Sequence, residues 1–217
     1  RSSNKKIGLC GVKLNTNTGS TSQETDVKVS VTSYGNQDFI VELDDEYNPA
    51  LLTPTWEGWT LAGWKDDKGN PMDKDSVAHD KVFYADWVDD IAPELDFTST
   101  NNVAETQTVT MNMSDKGSGI AEVYFGLQNP EETEVVFTPC TSAQSDQTVA
   151  EPGTYYMACK DASGNMTCIS AEFFKITLDY GDATCPVRYI VGLEGNTVTL
   201  PNPEKLGYTF EGWEQTE

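Results

Sequence analysis

GWTLAGW at residues 58–64 returns as GYTFEGW at 207–213. The match extends without gaps, placing Pro54 on Pro203, Trp59 on Tyr208, Leu61 on Phe210 and Trp64 on Trp213. Gly58 and Gly63 fall on Gly207 and Gly212, so glycines and rings keep one register. Glycine supplies positive φ or close backbone approach, and the aromatic, Leu or Phe, and Trp that follow alternate to one face, as in a turn feeding a strand. Upstream, VKLNTNTG (12–19) is answered by ITLDYGDA (176–183), and the longer path to the heptad in copy one implies an insertion around Asp44, Asp45 and Glu46. A unit that occurs twice in one chain is usually a module of an array rather than a catalytic body.

Working outward, segment 1–90 shows period-two runs at Val12 and Leu14, at Val27, Val29 and Val31, and at Phe39, Val41 and Leu43. The heptad and KVFYADW follow, with Phe83, Ala85 and Trp87 on one face of the latter. Only the acidic stretch from Asp44 to Leu52 permits a helix, so the segment reads as a small mixed sheet with one short helix on a face. Segment 91–174 opens on DDIAPELD and reads as strands alone, at 109–113, 122–127, 134–138, 154–159 and 167–174, with the turn spacing of a sandwich. Within it Tyr155, Met157 and Cys159 are expected to face the core, with Val123, Phe125 and Leu127 opposite. Segment 175–217 is the second copy of the repeat; ITLDY follows segment two with almost no linker, which predicts a stiff joint.

The succession of strand, Pro, GWTL or GYTF, GW, the Gly turn DDKGN and the closing FYADW resembles the internalin-type B-repeat, also called the Listeria-Bacteroides repeat, over roughly residues 5–88 and 175–217. SDKGSGI and EPGTYYMACKDASGN resemble the strand junction and last hairpin of a bacterial immunoglobulin-like domain. The resemblance implies a mainly β protein: a β-grasp-like (ubiquitin-like) module, an immunoglobulin-like β-sandwich, then a partial second β-grasp-like repeat. It further implies a bacterial cell-surface, extracellular setting, because such repeats occur in adhesins. Copy one departs from the pattern by its long middle. Copy two has no counterpart of KVFYADW, which leaves its closing strand missing unless the protein continues past Glu217.

With 14 Lys plus Arg against 35 Asp plus Glu, the net charge is −21. Such a surface repels phosphate backbones and anionic headgroups, which argues against nucleic-acid binding and membrane docking. No run approaches the roughly 20 apolar residues of a membrane span, and Arg1 opens no signal-peptide pattern, as in an internal or processed fragment.

Catalysis finds little to work with. The single imidazole, His79 in KDSVAHDK, reads as a solvated loop residue, and no nucleophile elbow, zinc-binding helix or phosphate loop is present. The five cysteines lack zinc spacing. Cys159 and Cys168 flank the hairpin turn KDASGNMT and are the candidate disulfide, with Cys140 competing for either; Cys10 and Cys185 read as free, and all five as small core residues is the other alternative. No cofactor is implied except calcium. A sandwich would gather the loops of Asp115 and Asp161 at one end near Asp89, Asp90 and Asp96, where hard oxygens could clamp the ion; alternatively the aspartates of DKGSG and DASGN close their own turns.

Trp64, Trp87 and Trp213 read as core. Trp56 aligns with Lys205, so it is expected to face water and, with Trp59, to offer a ligand-contact surface. The reading is therefore a non-catalytic spacer or adhesion region whose partners are neighbouring modules and a host or extracellular protein or glycan. Alternatives are a direct protein- or glycan-binding module, or an accessory region of a secreted carbohydrate-active or proteolytic enzyme.

Overall fold

Strands dominate, as the period-two patterns require. The computed structural model describes residues 5–34, 38–43, 54–73, 76–78, 80–128, 138–140 and 145–216. Among these no α-helix occurs, only a 3-10 turn at Gly19–Thr21. The helix-permissive stretch 44–52, with the insertion, and His79 lie outside the described residues, as does most of the expected strand 134–138. The chain divides into two compact units, Arg1–Ile91 and Ala92–Glu217.

The first unit is one mixed sheet. Its strands are β1 (Lys5–Asn15), β2 (Glu24–Tyr34), β3 (Asp38–Leu43), β4 (Thr60–Lys65) and β5 (Val82–Val88), in the order β3-β2-β1-β5-β4. β1 and β5 run parallel, with Lys13, Leu14 and Asn15 opposite Val82, Phe83 and Tyr84; the other pairs are antiparallel. Alternation carries Val12, Leu14, Val27, Val29 and Phe83 to one buried face, where Cys10, Trp64, Met72 and Val77 pack against them. Phe83 is fully buried at the centre of this set, so its truncation to Ala would cost about 3–5 kcal/mol.

The second unit has two antiparallel sheets around one core. β6 (Glu94–Ser99), β7 (Gln107–Ser114) and β10 (Asp146–Val149) form a sheet in the order β10-β7-β6. β8 (Ile120–Leu127), β9 (Thr138–Cys140), β11 (Gly153–Asp161), β12 (Met166–Thr177) and β13 (Tyr189–Leu193) form the other, in the order β13-β12-β11-β8-β9. Val109, Met111 and Val149 from the first meet Val123, Phe125, Tyr155, Met157, Ala171, Phe173 and Val191 from the second. Tyr155 stacks on Phe125 at 5.4 Å and meets Phe173 edge-on at 5.5 Å. Tyr155, Met157 and Cys159 point into this core opposite Leu127, Phe125 and Val123, but Leu127, at the end of β8, is 42 % exposed.

β12 serves two partners in succession. Its first part pairs with β11 and its last residues with β13, and Phe173 pairs with Gly153 on one side and Leu193 on the other. Residues 175–177 and 189–193 thus continue the second sheet directly. At β13 the Val191 N–H and C=O turn away from β12: the former donates to Ala104 O (3.1 Å) and the latter accepts from Gln107 Nε2 (2.7 Å). Gln107, 1 % exposed, also donates to Asn102 O (2.8 Å), and its Oε1 accepts from Thr100 Oγ1 (2.8 Å) and Asn102 N (3.2 Å). On the outer edge of β13 the buried amide thus satisfies the Val191 carbonyl, and Ala104 O the Val191 N–H.

Candidate functional site

The repeated turn is built alike in both copies. Trp59 N donates to Trp56 O (3.0 Å), and Tyr208 N to Lys205 O (3.1 Å). Gly58 and Gly207 stand at φ 83° and 81°, and Gly63 and Gly212 at 155° and 151°. A positive φ at the third position of a four-residue turn marks type II, the conformation that requires glycine there. The two copies then diverge. In copy one, Thr60–Lys65 is zipped to β5. In copy two, 209–216 has no strand partner among the described residues.

In copy one the turn gathers three indoles. Trp56 stacks on Trp59 (5.1 Å between centroids, 18° between planes) and meets Trp87 edge-on at 5.9 Å, while Trp87 Nε1 donates to Thr16 O at 2.8 Å. Trp56 is half-buried, which corrects the expectation that it simply faces water. The reason lies in copy two, where Lys205 Nζ sits 4.5 Å from the Tyr208 ring centroid. Lysine stands in for Trp56 because both can lie on the next aromatic, one by stacking and the other by a cation–π contact. Trp64, Trp87 and Trp213 are likewise half-buried rather than sealed; Trp213 meets Phe210 edge-on and donates to Pro201 O at 2.9 Å.

The candidate calcium ligands are placed as follows. In the first unit, the Asp89 carboxylate accepts from Ile91 N (3.3 Å) and the Asp90 carboxylate from Thr60 Oγ1 (2.6 Å). In the second unit, Asp96 stands exposed on β6 and accepts from Phe97 N (2.7 Å). Oxygens of Asp115 and Asp161 come within 4.8 Å of one another. Each already closes its turn: Asp115 accepts from Gly119 N (2.5 Å), and Asp161, 2 % exposed, from Asn165 N (2.8 Å) and Asn165 Nδ2 (2.7 Å).

Asp66 in DDKGN repeats the bonds that Asp161 makes in DASGN, accepting from Asn70 N (2.8 Å) and Nδ2 (3.0 Å). Asp66 further holds Lys81 Nζ at 2.7 Å. The hydrogen bonds from Lys81, then from Asn70, hold its carboxyl far below the usual carboxylate range. Two turns of the form D-x-x-G-N, one in each unit, thus use one device. The shared spacing of Asp, Gly and Asn was the available sequence signal.

Among the described residues no cysteine is joined in a disulfide. The candidate pair Cys159–Cys168 does not meet, because the register sets Cys159 opposite Thr167 and Cys168 opposite Ala158. Neighbouring register positions point to opposite sheet faces, so Cys159 is buried while Cys168 is exposed. Cys140 lies opposite Val123, which in turn lies opposite Cys159, so two strand spacings of about 4.8 Å separate the cysteines, beyond disulfide reach. Burial first, then the Asp115 and Asp161 charges, pushes the Cys159 thiol up, which keeps it protonated and unreactive.

Comparison of the chain with protein-family models, with curated proteins and with solved structures finds no match. Among the described residues no helix is long and apolar enough to cross a membrane.

Proposed function

We propose that this chain is a non-catalytic spacer and adhesion region of a bacterial cell-surface protein, built from a β-grasp-like B-repeat, an immunoglobulin-like sandwich and part of a second B-repeat. The observation that carries this reading is the repeated turn, whose glycines hold the same φ in both copies to within a few degrees. Duplication of a structural unit, with no duplicated set of reactive groups, is the mark of a modular array. The mixed sheet, with the unit's first and last strands parallel at its centre, supports the β-grasp-like part.

For the sandwich, β6, β7 and β10 facing β8, β11 and β12 follow the division of an immunoglobulin-like domain. Tyr155 Oη donates to Glu151 O (3.0 Å), four residues upstream where β10 gives way to β11, which is the tyrosine corner of such folds. Small rigid modules of this kind project a binding head outward, and a net charge of −21 keeps them soluble and mutually repelling.

A second reading, direct binding of an extracellular protein or glycan, is favoured by the half-buried Trp56–Trp59 stack, a ring surface on which a sugar or apolar side chain can lie. The purified chain is to be tested against a panel of matrix proteins and glycans, with Trp56→Ala as control. Silence across the panel is the spacer outcome. A saturable signal lost in the variant replaces it with the binding reading.

A further inference from the structure

Copy two shows what kind of group the repeated turn holds. Lys205 opens the turn, and its Nζ lies 4.5 Å from the centroid of the Tyr208 ring that closes it. The same Nζ donates to Asp182 Oδ1 at 2.7 Å. One ammonium is thus held between a ring and a carboxylate, the first attracting it by the negative charge of its π face and the second by a full charge.

Copy one keeps the aromatic and acidic groups but supplies no cation. Trp56 stands where copy two has Lys205, and Trp59 where it has Tyr208. Trp56, Trp59 and Trp87 are each half-buried, so the cluster presents ring surface to solvent. Among the described residues no ammonium or guanidinium lies over any of the three. The charged groups of the turn and of its anchor are both exposed carboxylates: Glu57 at the turn corner, and Asp90, which accepts from Thr60 Oγ1 beside Trp59. Indole is the ring that attracts cations most strongly. The stack of Trp56 on Trp59, with Trp87 edge-on, already fixes the rings, so little side-chain freedom is left to lose on binding. A net charge of −21 draws cations towards the chain as a whole, whereas a neutral sugar would gain the ring surface and nothing from the charge.

We infer that the turn of copy one seats a cationic side chain of a partner protein, arginine above all. A planar guanidinium lies flat on an indole and still offers N–H groups at its rim to carboxylates such as Glu57 and Asp90. The inference rests on the direct-binding reading given above and narrows it: the partner is a basic protein segment rather than a glycan.

The test adds the peptide acetyl-Gly-Arg-Gly-Arg-Gly-amide to the intact 217-residue chain and follows the indole N–H resonances. The control is the same peptide with citrulline in place of arginine, which keeps the shape and removes the charge. Saturable shifts are expected at Trp56 and Trp59, with the citrulline peptide binding about tenfold more weakly. Protein produced with a fluorinated tryptophan, which draws charge off the ring face at nearly the same shape, should bind the arginine peptide more weakly, an effect that general attraction to an acidic surface would not give. Equal binding of the two peptides, no weakening on fluorination, or shifts confined to other tryptophans would overturn the inference. An N-acetylglucosamine oligomer that binds at Trp56 where the arginine peptide does not would overturn it and leave the direct-binding reading standing, and silence from every probe would overturn both.

Discussion

Gln107→Met keeps side-chain length and removes every polar atom from one of the most buried positions of the second unit. Four hydrogen bonds go with it: two donated by Nε2, to Val191 O and Asn102 O, and two accepted by Oε1, from Thr100 Oγ1 and Asn102 N. The Val191 carbonyl is sealed at 0 % exposure, so its desolvation goes uncompensated at about 1–3 kcal/mol. The Asn102 and Thr100 groups lie at an exposed loop where water partly replaces the amide, and their three bonds together cost about 1–2 kcal/mol. Burial of the thioether returns about 1 kcal/mol. The net is a loss of roughly 3 kcal/mol, which for a unit of this size lowers the melting temperature by about 10 °C.

Calorimetry of the whole chain reads this directly, because the expected outcome is a displaced transition for the second unit and an unmoved one for the first. Amide exchange at Val191 should accelerate in parallel, since its donor contact to Ala104 belongs to the same latch. A shift below about 2 °C would refute the reasoning, because it would mean that the Gln107 amide contributes nothing to holding β13.

Other outcomes follow from the same structure. Tyr155→Phe removes only the bond to Glu151 O, so the second unit should lose about 1 kcal/mol in urea unfolding with no change in the denaturant slope. The Asp66 carboxyl titrates far below its unfolded value near 3.9, so its contribution is complete above about pH 5 and is lost progressively as pH falls below about 4, with part of it remaining at pH 2. Tryptophan fluorescence, four of whose five indoles lie in the first unit, should show that acid loss, and Asp66→Asn should flatten it while lowering stability at pH 7. Asp115 and Asp161 already spend oxygens on their turns, so millimolar calcium should leave the melting temperature unchanged; a rise abolished by Asp161→Asn would assign them to a metal instead.

Alternation made much of the fold legible. Val12 and Leu14, Val27 and Val29, and Phe83 and Ala85 sit where period two puts them, and Asp161–Asn165 is the hairpin turn that its residues suggest. Strands β6 and β10 were not legible: Leu95 and Phe97 alternate within a charged, linker-like stretch, and β10 offers only Asp146–Val149. Gln107 could not have been found by pattern, because its partner Val191 lies 84 positions away and a lone Gln on a strand signals nothing until both are placed. Trp56 was misread for a related reason. Its alignment with Lys205 shows tolerance of charge, but whether tolerance means water or a neighbouring ring depends on Trp59 and Tyr208, which only the turn geometry brings beneath it.

The strand β12, Met166–Thr177, carries a mechanical consequence. Tension applied along it passes from one hydrogen-bonded neighbour to the next through Phe173 without crossing a loop, so load on β13 is delivered to β11 as shear across many bonds rather than as peeling of one. Between Met166 and Thr177 there is neither a hinge to absorb extension nor an exposed linker for a protease to cut. A chain loaded through such a strand would stretch and fail elsewhere first.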